Sequence, residues 1–274
     1  MNIDNTLEEF LDGVGLDDPK GSHRLSPDAY IKWGRQRSKE VNLARDHIPF
    51  IGRDAVVDEI LDHGIGIIYN FTERSRIALV HASPGVGKTR VFSEIVAMKD
   101  ELIQRQETRL ADRPGFLEAF HNILPVMISF NGETDVVTNV HTDNAEHLFD
   151  EDIHFSSRLL FTWLTNEKDF QLFFIKIVQM AEARKFDPKL LTLTSVLSTI
   201  LIRSGKSHVF LLIDEIIRLS DHLKRDLTPD IISLARLQDG PNYNPGKIGV
   251  CFSSLKVGIF EEAHTVSGRF IQSI

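Results

Sequence analysis

Along this chain, short apolar runs alternate with longer stretches in which apolar residues recur every three or four positions. The short runs are "SRIALVHA" (75–82), "LPVMISFN" (124–131), "HVFLLIDE" (208–215) and "KIGVCFSSL" (247–255). Each is bounded by polar or turn-forming residues, so each predicts a buried strand. "GRFIQSI" (268–274) opens a fifth. The longer stretches predict helices over "PDAYIKWGRQRSKEVNLA" (27–44), within "IPFIGRDAVVDEILDHGIGIIYNF" (48–71) after an extended entry, and over "GKTRVFSEIVAMKDELIQR" (87–105). Val91, Ile95, Val96 and Leu102 fall on one face of the last of these. Helices are also predicted over "SSRLLFTWLT" (156–165), "DFQLFFIKIVQMAEAR" (169–184), "PKLLTLTSVLSTILIRS" (188–204), "IIRLSDHLKRDL" (216–227) and "TPDIISLARLQ" (228–238).

Strands that alternate with helices predict an α/β fold, with a mostly parallel sheet covered on both faces. Residues 1–45 read differently. They are polar, broken by "DDPKGSHRLSP", and offer a short helix near "TLEEFLDGV" (6–14). This stretch is expected to be an extension, tacked to the main body by Tyr30 and Trp33, while 46–274 form the principal domain. The polar, acidic stretch 133–150 reads as a loop.

Composition narrows the function classes. The chain has 274 residues, is 42% hydrophobic and carries a formal net charge of −8. It can bury a large core, and it lacks the basic excess of a protein that grips nucleic acid by charge alone. The single cysteine, Cys251, excludes an internal disulfide and reads as a buried, inert thiol. The acidic N-terminus lacks the apolar core of a secretory signal, and no stretch is long and apolar enough to span a bilayer. The expectation is an intracellular protein that does not enter the membrane.

The chemistry concentrates in "ASPGVGKT" (82–89), which fits a phosphate-binding loop with Ala82 where glycine is commoner. Backbone N–H groups must converge on phosphate oxygens, so Gly85 and Gly87 omit Cβ atoms where the loop folds tightly. Pro84 stiffens the loop, and Ser83, Val86 and Arg90 complete its lining. The helix that follows aims its positive end at the anion. Lys88 is expected to reach the β- and γ-phosphates, and Thr89 to offer its hydroxyl to Mg²⁺.

A second signature, "VFLLIDE" (209–215), ends a buried strand in two carboxylates. Asp214 is placed to hold the Mg²⁺ shell, and Glu215 to orient or deprotonate an attacking water. A helix N-cap with an acidic first turn is the plainer alternative for this pair taken alone. The glutamate beside the metal aspartate separates the chain from P-loop kinases. No NKxD-type guanine reader is present, which favours ATP. "HLFDEDIH" (147–154) has acidic and histidine side chains but no recognisable metal-ligand spacing.

The ordered set "ALVHASPGVGKTR", "LPVMISFNGET", "SSRLLFTWL", "VFLLIDEIIRLSD", "VCFSSL" and "SGRFI" resembles the P-loop ATPase domain of Crinkler-type effectors and trypanosome retrotransposon-hot-spot proteins. The resemblance runs over about residues 45–274. It implies a three-layer P-loop NTPase of the STAND/AAA+ kind, with strand order 5-1-4-3-2, and a nuclear or host-cell location. It implies further roles for particular residues. Phe50, Ile51, Gly52 and Arg53 match a "GRE"-type box that packs near the adenine, or they form an ordinary helix start. Asn131 stands where a polar residue can hold the catalytic glutamate inactive, or it simply forms a turn before Gly132. Ser253 and Ser254 stand where a γ-phosphate sensor lies. Arg269 is either a phosphate sensor or a solvated arginine, and the solvated reading is preferred.

Against that resemblance, no header is recognised in residues 1–45 and no lid or effector segment follows Ile274, so the expectation is a fragment or a degenerate copy of such a protein. On this reading, closing the site calls on a missing part or a neighbouring subunit, so a homo-oligomer or a protein partner is expected beside ATP. Three functions remain open: slow Mg·ATP hydrolysis as a conformational switch, a nucleotide-binding interaction module with little turnover, and a DNA-directed ATPase. The acidic balance disfavours the last.

Overall fold

The computed structural model describes residues 7, 25–41, 52–69, 76–83, 87–130, 153–183, 187, 190–223, 226–239, 247–267 and 269–274. Five parallel strands form its centre: β1 (Ile77–His81), β2 (Ile123–Ser129), β3 (His208–Asp214), β4 (Ile248–Ser254) and β5 (Ile271–Ser273). Their order across the sheet is β2-β3-β4-β1-β5. β3 lies between β2 and β4, with Ile128 opposite Ile213 and Ile213 opposite Phe252. Val209 through Asp214 are all buried, as a strand covered on both faces requires.

The helices are α1 (Pro27–Val41), α2 (Asp54–Tyr69), α3 (Lys88–Ala97), α4 (Asp100–Leu110), α5 (Pro114–Asn122) and α6 (Ile153–Trp163). They continue with α7 (Phe170–Glu182), α8 (Leu193–Ser204), α9 (Ile217–Leu223), α10 (Thr228–Arg236) and α11 (Gly258–Ser267). α3, α6 and α8 pack on β2 or β3, and α2 packs on β4. One continuous apolar cluster joins the sheet to these helices and includes Tyr30, Phe92, Phe161, Phe210 and Phe252.

The helix expected over 87–105 is two helices. Met98 takes a left-handed conformation (φ 44°) and its N–H bonds back to the Glu94 carbonyl, closing α3. Lys99 is extended, and Asp100 and Glu101 open α4 with negative charge on its positive end. α5 went unpredicted. Its nine residues begin at Pro114, which supplies a preset φ at the first turn.

α1 docks as Tyr30 and Trp33 imply. The Tyr30 hydroxyl donates to the Trp163 carbonyl at 2.9 Å, and its ring lies 6.0 Å from Trp33 and 6.2 Å from Trp163. Gly34 makes this close approach feasible, because a Cβ there would lie 2.2 Å from the Trp163 ring. The boundary expected at 45/46, the helix near 6–14 (Leu7 apart) and the loop at 133–150 lie outside the described residues. Among the described residues, no helix is long and apolar enough to cross a membrane.

Candidate functional site

Parallel strands deliver all their C-terminal ends to one edge of the sheet, and the candidate residues gather there. β1 ends at His81, and Ala82 and Ser83 lead away from it. Gly87 turns the chain into α3 with φ 90° and ψ 31°, a left-handed conformation that a side chain would strain. Pro84, Gly85 and Val86 lie outside the described residues, as does Asn131.

Lys88, the first residue of α3, is buried at 6% exposure. Its ammonium donates to the Ala82 carbonyl at 2.8 Å and to the Ser83 carbonyl at 3.4 Å, folding back over the loop. It also faces Glu215 Oε1 at 3.8 Å, an opposite-charge contact longer than a hydrogen bond.

Thr89, one residue on, donates its hydroxyl to Asp214 Oδ2 at 2.8 Å, across 125 residues of sequence. Asp214 has no exposed surface. Two further hydroxyls reach it: Ser129, at the end of β2, donates to Oδ2 at 3.3 Å, and Ser253, near the end of β4, donates to Oδ1. A carboxylate so deep in the protein needs such donors, because burial without them costs several kcal/mol, roughly.

Glu215 follows the strand with φ 55°, one of two non-glycine residues with positive φ among those described. Its N–H donates to Ser253 Oγ at 3.4 Å. A left-handed glutamate costs on the order of 1 kcal/mol, and strain of this kind collects at functional sites. Burial pushes the Glu215 carboxyl above the ordinary glutamate range, and the Asp214 charge adds to the rise. Lys88 and Arg218 oppose it.

Arg53 lies against the same helix end, since a Cβ built on Gly87 would sit 3.6 Å from its guanidinium. No hydrogen bond or ion pair engages that guanidinium among the described residues. Phe50 and Ile51 lie outside them, and Gly52 is exposed with φ 73°. Arg90 is bound through Nε to Glu94 Oε1 at 2.7 Å, one turn along α3.

The two serines of β4 part company. Ser254 closes the turn after the strand: its hydroxyl donates to the Lys256 carbonyl at 2.8 Å and accepts from the Lys256 N–H at 3.0 Å. Ser253 is the one that reaches the Asp214 carboxylate and the Glu215 N–H, and Ser129 reaches Asp214 unforeseen. Alternation along β4 points one of the two adjacent serines towards Asp214 without saying which, and Ser129 is found only from the parallel register that sets it opposite Asp214.

Arg269 is not solvated. It is buried at 5% exposure, and its carbonyl contacts His264 Nδ1 while its N–H donates to Ser267 Oγ at 3.3 Å. The close of α11 against the entry to β5 holds it inside. Cys251 is fully buried and its thiol is driven far up by that burial, which makes it unreactive. Of the stretch 147–154, only Ile153 and His154 are described, and no cluster of metal-binding side chains occurs among the described residues.

No protein-family model matches this chain, and no curated protein matches it.

Proposed function

We propose that the chain is a P-loop ATPase domain that binds Mg·ATP and hydrolyses it slowly as a conformational switch. On this reading it is a three-layer α/β NTPase with strand order 5-1-4-3-2, of the kind its sequence resembles in Crinkler-type and retrotransposon-hot-spot proteins. The observation that carries the proposal is the bond between Thr89 and Asp214, with Lys88 facing Glu215 beside it. An ordinary strand–turn–helix connection gives no reason for residues so far apart in sequence to converge in this combination.

The donor set suits magnesium. A hydroxyl and a carboxylate are hard oxygen ligands, and Asp214 is already oriented by Ser129 and Ser253. Thr89 and Asp214 would hold the ion, Asp214 directly or through water. When bound, the ion neutralises charge on the phosphate oxygens. Lys88 exchanges the Ala82 and Ser83 carbonyls for phosphate oxygens, and the free N–H groups at the start of α3 point to the same place. Arg53 adds positive charge at that helix end. Glu215 orients the water that attacks the γ-phosphorus and takes its proton. Its raised pKa brings this base closer to neutral pH, where proton transfer is more effective.

Turnover by the wild type and by Glu215→Gln tests this. The expected outcome is a loss of about 10²–10⁴-fold in kcat with ATP affinity kept. The Lys88–Glu215 contact favours one rival, a binding module in which this pair keeps the glutamate from water. No turnover in the wild type, with ATP still bound, would establish that rival instead.

A further inference from the structure

At the opposite end of the sheet, where β2 begins at Ile123 and Lys206 leads into β3, lies an open cavity of about 1100 Å³. α1 forms one wall, and the junction between α3 and α4 forms the other. Trp33, Ile103 and Phe120 give it an apolar surface. Five cationic side chains line it against three carboxylates, so this hollow is positive in a chain of net charge −8.

The cations are not all spent on protein partners. Arg35 Nε is wholly buried without a hydrogen-bond partner, and no ion pair engages its guanidinium among the described residues. Lys206 spends one donor on the His121 carbonyl at 2.7 Å and pairs with no carboxylate among the described residues. Burial lowers the pKa of both, and the Arg35 charge lowers Lys206 further, against a smaller opposing effect of Asp28. Two like charges held near one another and partly desolvated are costly unless an anion joins them.

We propose that this cavity is a second ligand site, separate from the phosphate loop, for a small molecule with an anionic head group on an aromatic or aliphatic body. Arg35 and Lys206 take the head group, and Trp33 and Ile103 cover the body. The volume suits a small organic ligand, and the mixture of apolar wall with a few convergent charges is what such sites present. The shared chemistry of the head group is that of a phosphate, carboxylate or sulfonate, which a guanidinium accepts through two parallel bonds.

The probe is 8-anilinonaphthalene-1-sulfonate, titrated into the full chain by fluorescence, with its uncharged relative N-phenyl-1-naphthylamine as the control. The sulfonate is expected to bind saturably, and Arg35→Ala/Lys206→Ala to weaken it about tenfold or more. The uncharged relative should be indifferent to that change. Lys88→Ala should leave sulfonate binding unaltered, which keeps this site apart from the phosphate loop. Inorganic phosphate and benzoate are then added as competitors. Displacement by one alone assigns the head group to that class, and displacement by both assigns a general anion site. An affinity unchanged in the double variant, equal binding of the uncharged probe, or displacement by neither anion would overturn the proposal. Circular dichroism checks folding. If the double variant does not fold, Lys206→Ala alone and the competition arms decide the matter by the same criteria.

Discussion

The two ends of the sheet solve the problem of buried charge in opposite ways. At the C-terminal end, Asp214 is enclosed and fully supplied: Thr89, Ser129 and Ser253 all donate to it. At the N-terminal end, Arg35 is half-buried and no acceptor meets it among the described residues. One end is arranged before any ligand arrives, and the other is short of an anion. The difference shows that preorganisation can be read from which polar groups are satisfied, not only from which are present. A saturated carboxylate is a fixed point on which other side chains are aligned, whereas an unsatisfied cation marks where something else belongs.

Breaking the saturated end should have the largest effect. Asp214→Ala takes the shared acceptor from the Thr89, Ser129 and Ser253 hydroxyls and removes the proposed magnesium ligand. Stability should fall by about 3 kcal/mol in urea unfolding, and turnover should be abolished.

Acid should come next. Burial holds His63 neutral, with its pKa lowered to about 4, and its Nε2 has no hydrogen-bond partner. The folded state therefore takes up its proton less readily than the unfolded chain, so this contribution is intact above about pH 6.5 and is lost as pH falls towards 4. The loss should be at most about 3 kcal/mol, and His63→Gln should flatten the fall of Tm over that window.

The two serines of β4 should differ in their effects. Ser253→Ala should lower kcat about tenfold with little change in KM, because it aligns Asp214 and Glu215 without touching the nucleotide. Ser254→Ala, which only loosens a turn, should lower kcat by less than about twofold.

The smallest effect concerns Glu215. Its raised pKa means that the folded protein disfavours the carboxylate, so its contribution to stability is complete at low pH and is lost as pH rises through the raised value. Glu215→Gln removes that loss. Its Tm should exceed the wild type's by about a degree or two at pH 8 and match it at low pH, although its turnover is impaired.

Strands were the most legible part of the fold. β3 announces itself because Val209 to Ile213 are uniformly apolar and end in paired carboxylates. Helix ends were less so. The break at Met98 depends on one left-handed residue, and nothing in "AMKDE" demands it until Asp100 is seen to favour a new N-terminus. α5 hid because "PGFLEAFHN" opens with two residues that usually signal turns. At the site, Lys88, Thr89, Asp214 and Glu215 were named from spacing, but Ser129 and the choice between Ser253 and Ser254 were not. Alternation along β4 puts one of two adjacent serines towards Asp214, and sequence alone cannot set the phase at a strand end. Arg269 was misjudged for a related reason. A polar side chain two residues before a short edge strand reads as exposed, and only the structure shows it to be enclosed.

On this reading a triphosphate binds where Lys88 and the start of α3 meet Asp214. Isothermal calorimetry of Mg·ATP with the full chain and with Lys88→Ala tests it most directly. Saturable binding by the wild type, weakened at least tenfold by the substitution, is the predicted result. No heat from any nucleoside triphosphate with folded protein, or equal affinity in both chains, would contradict it.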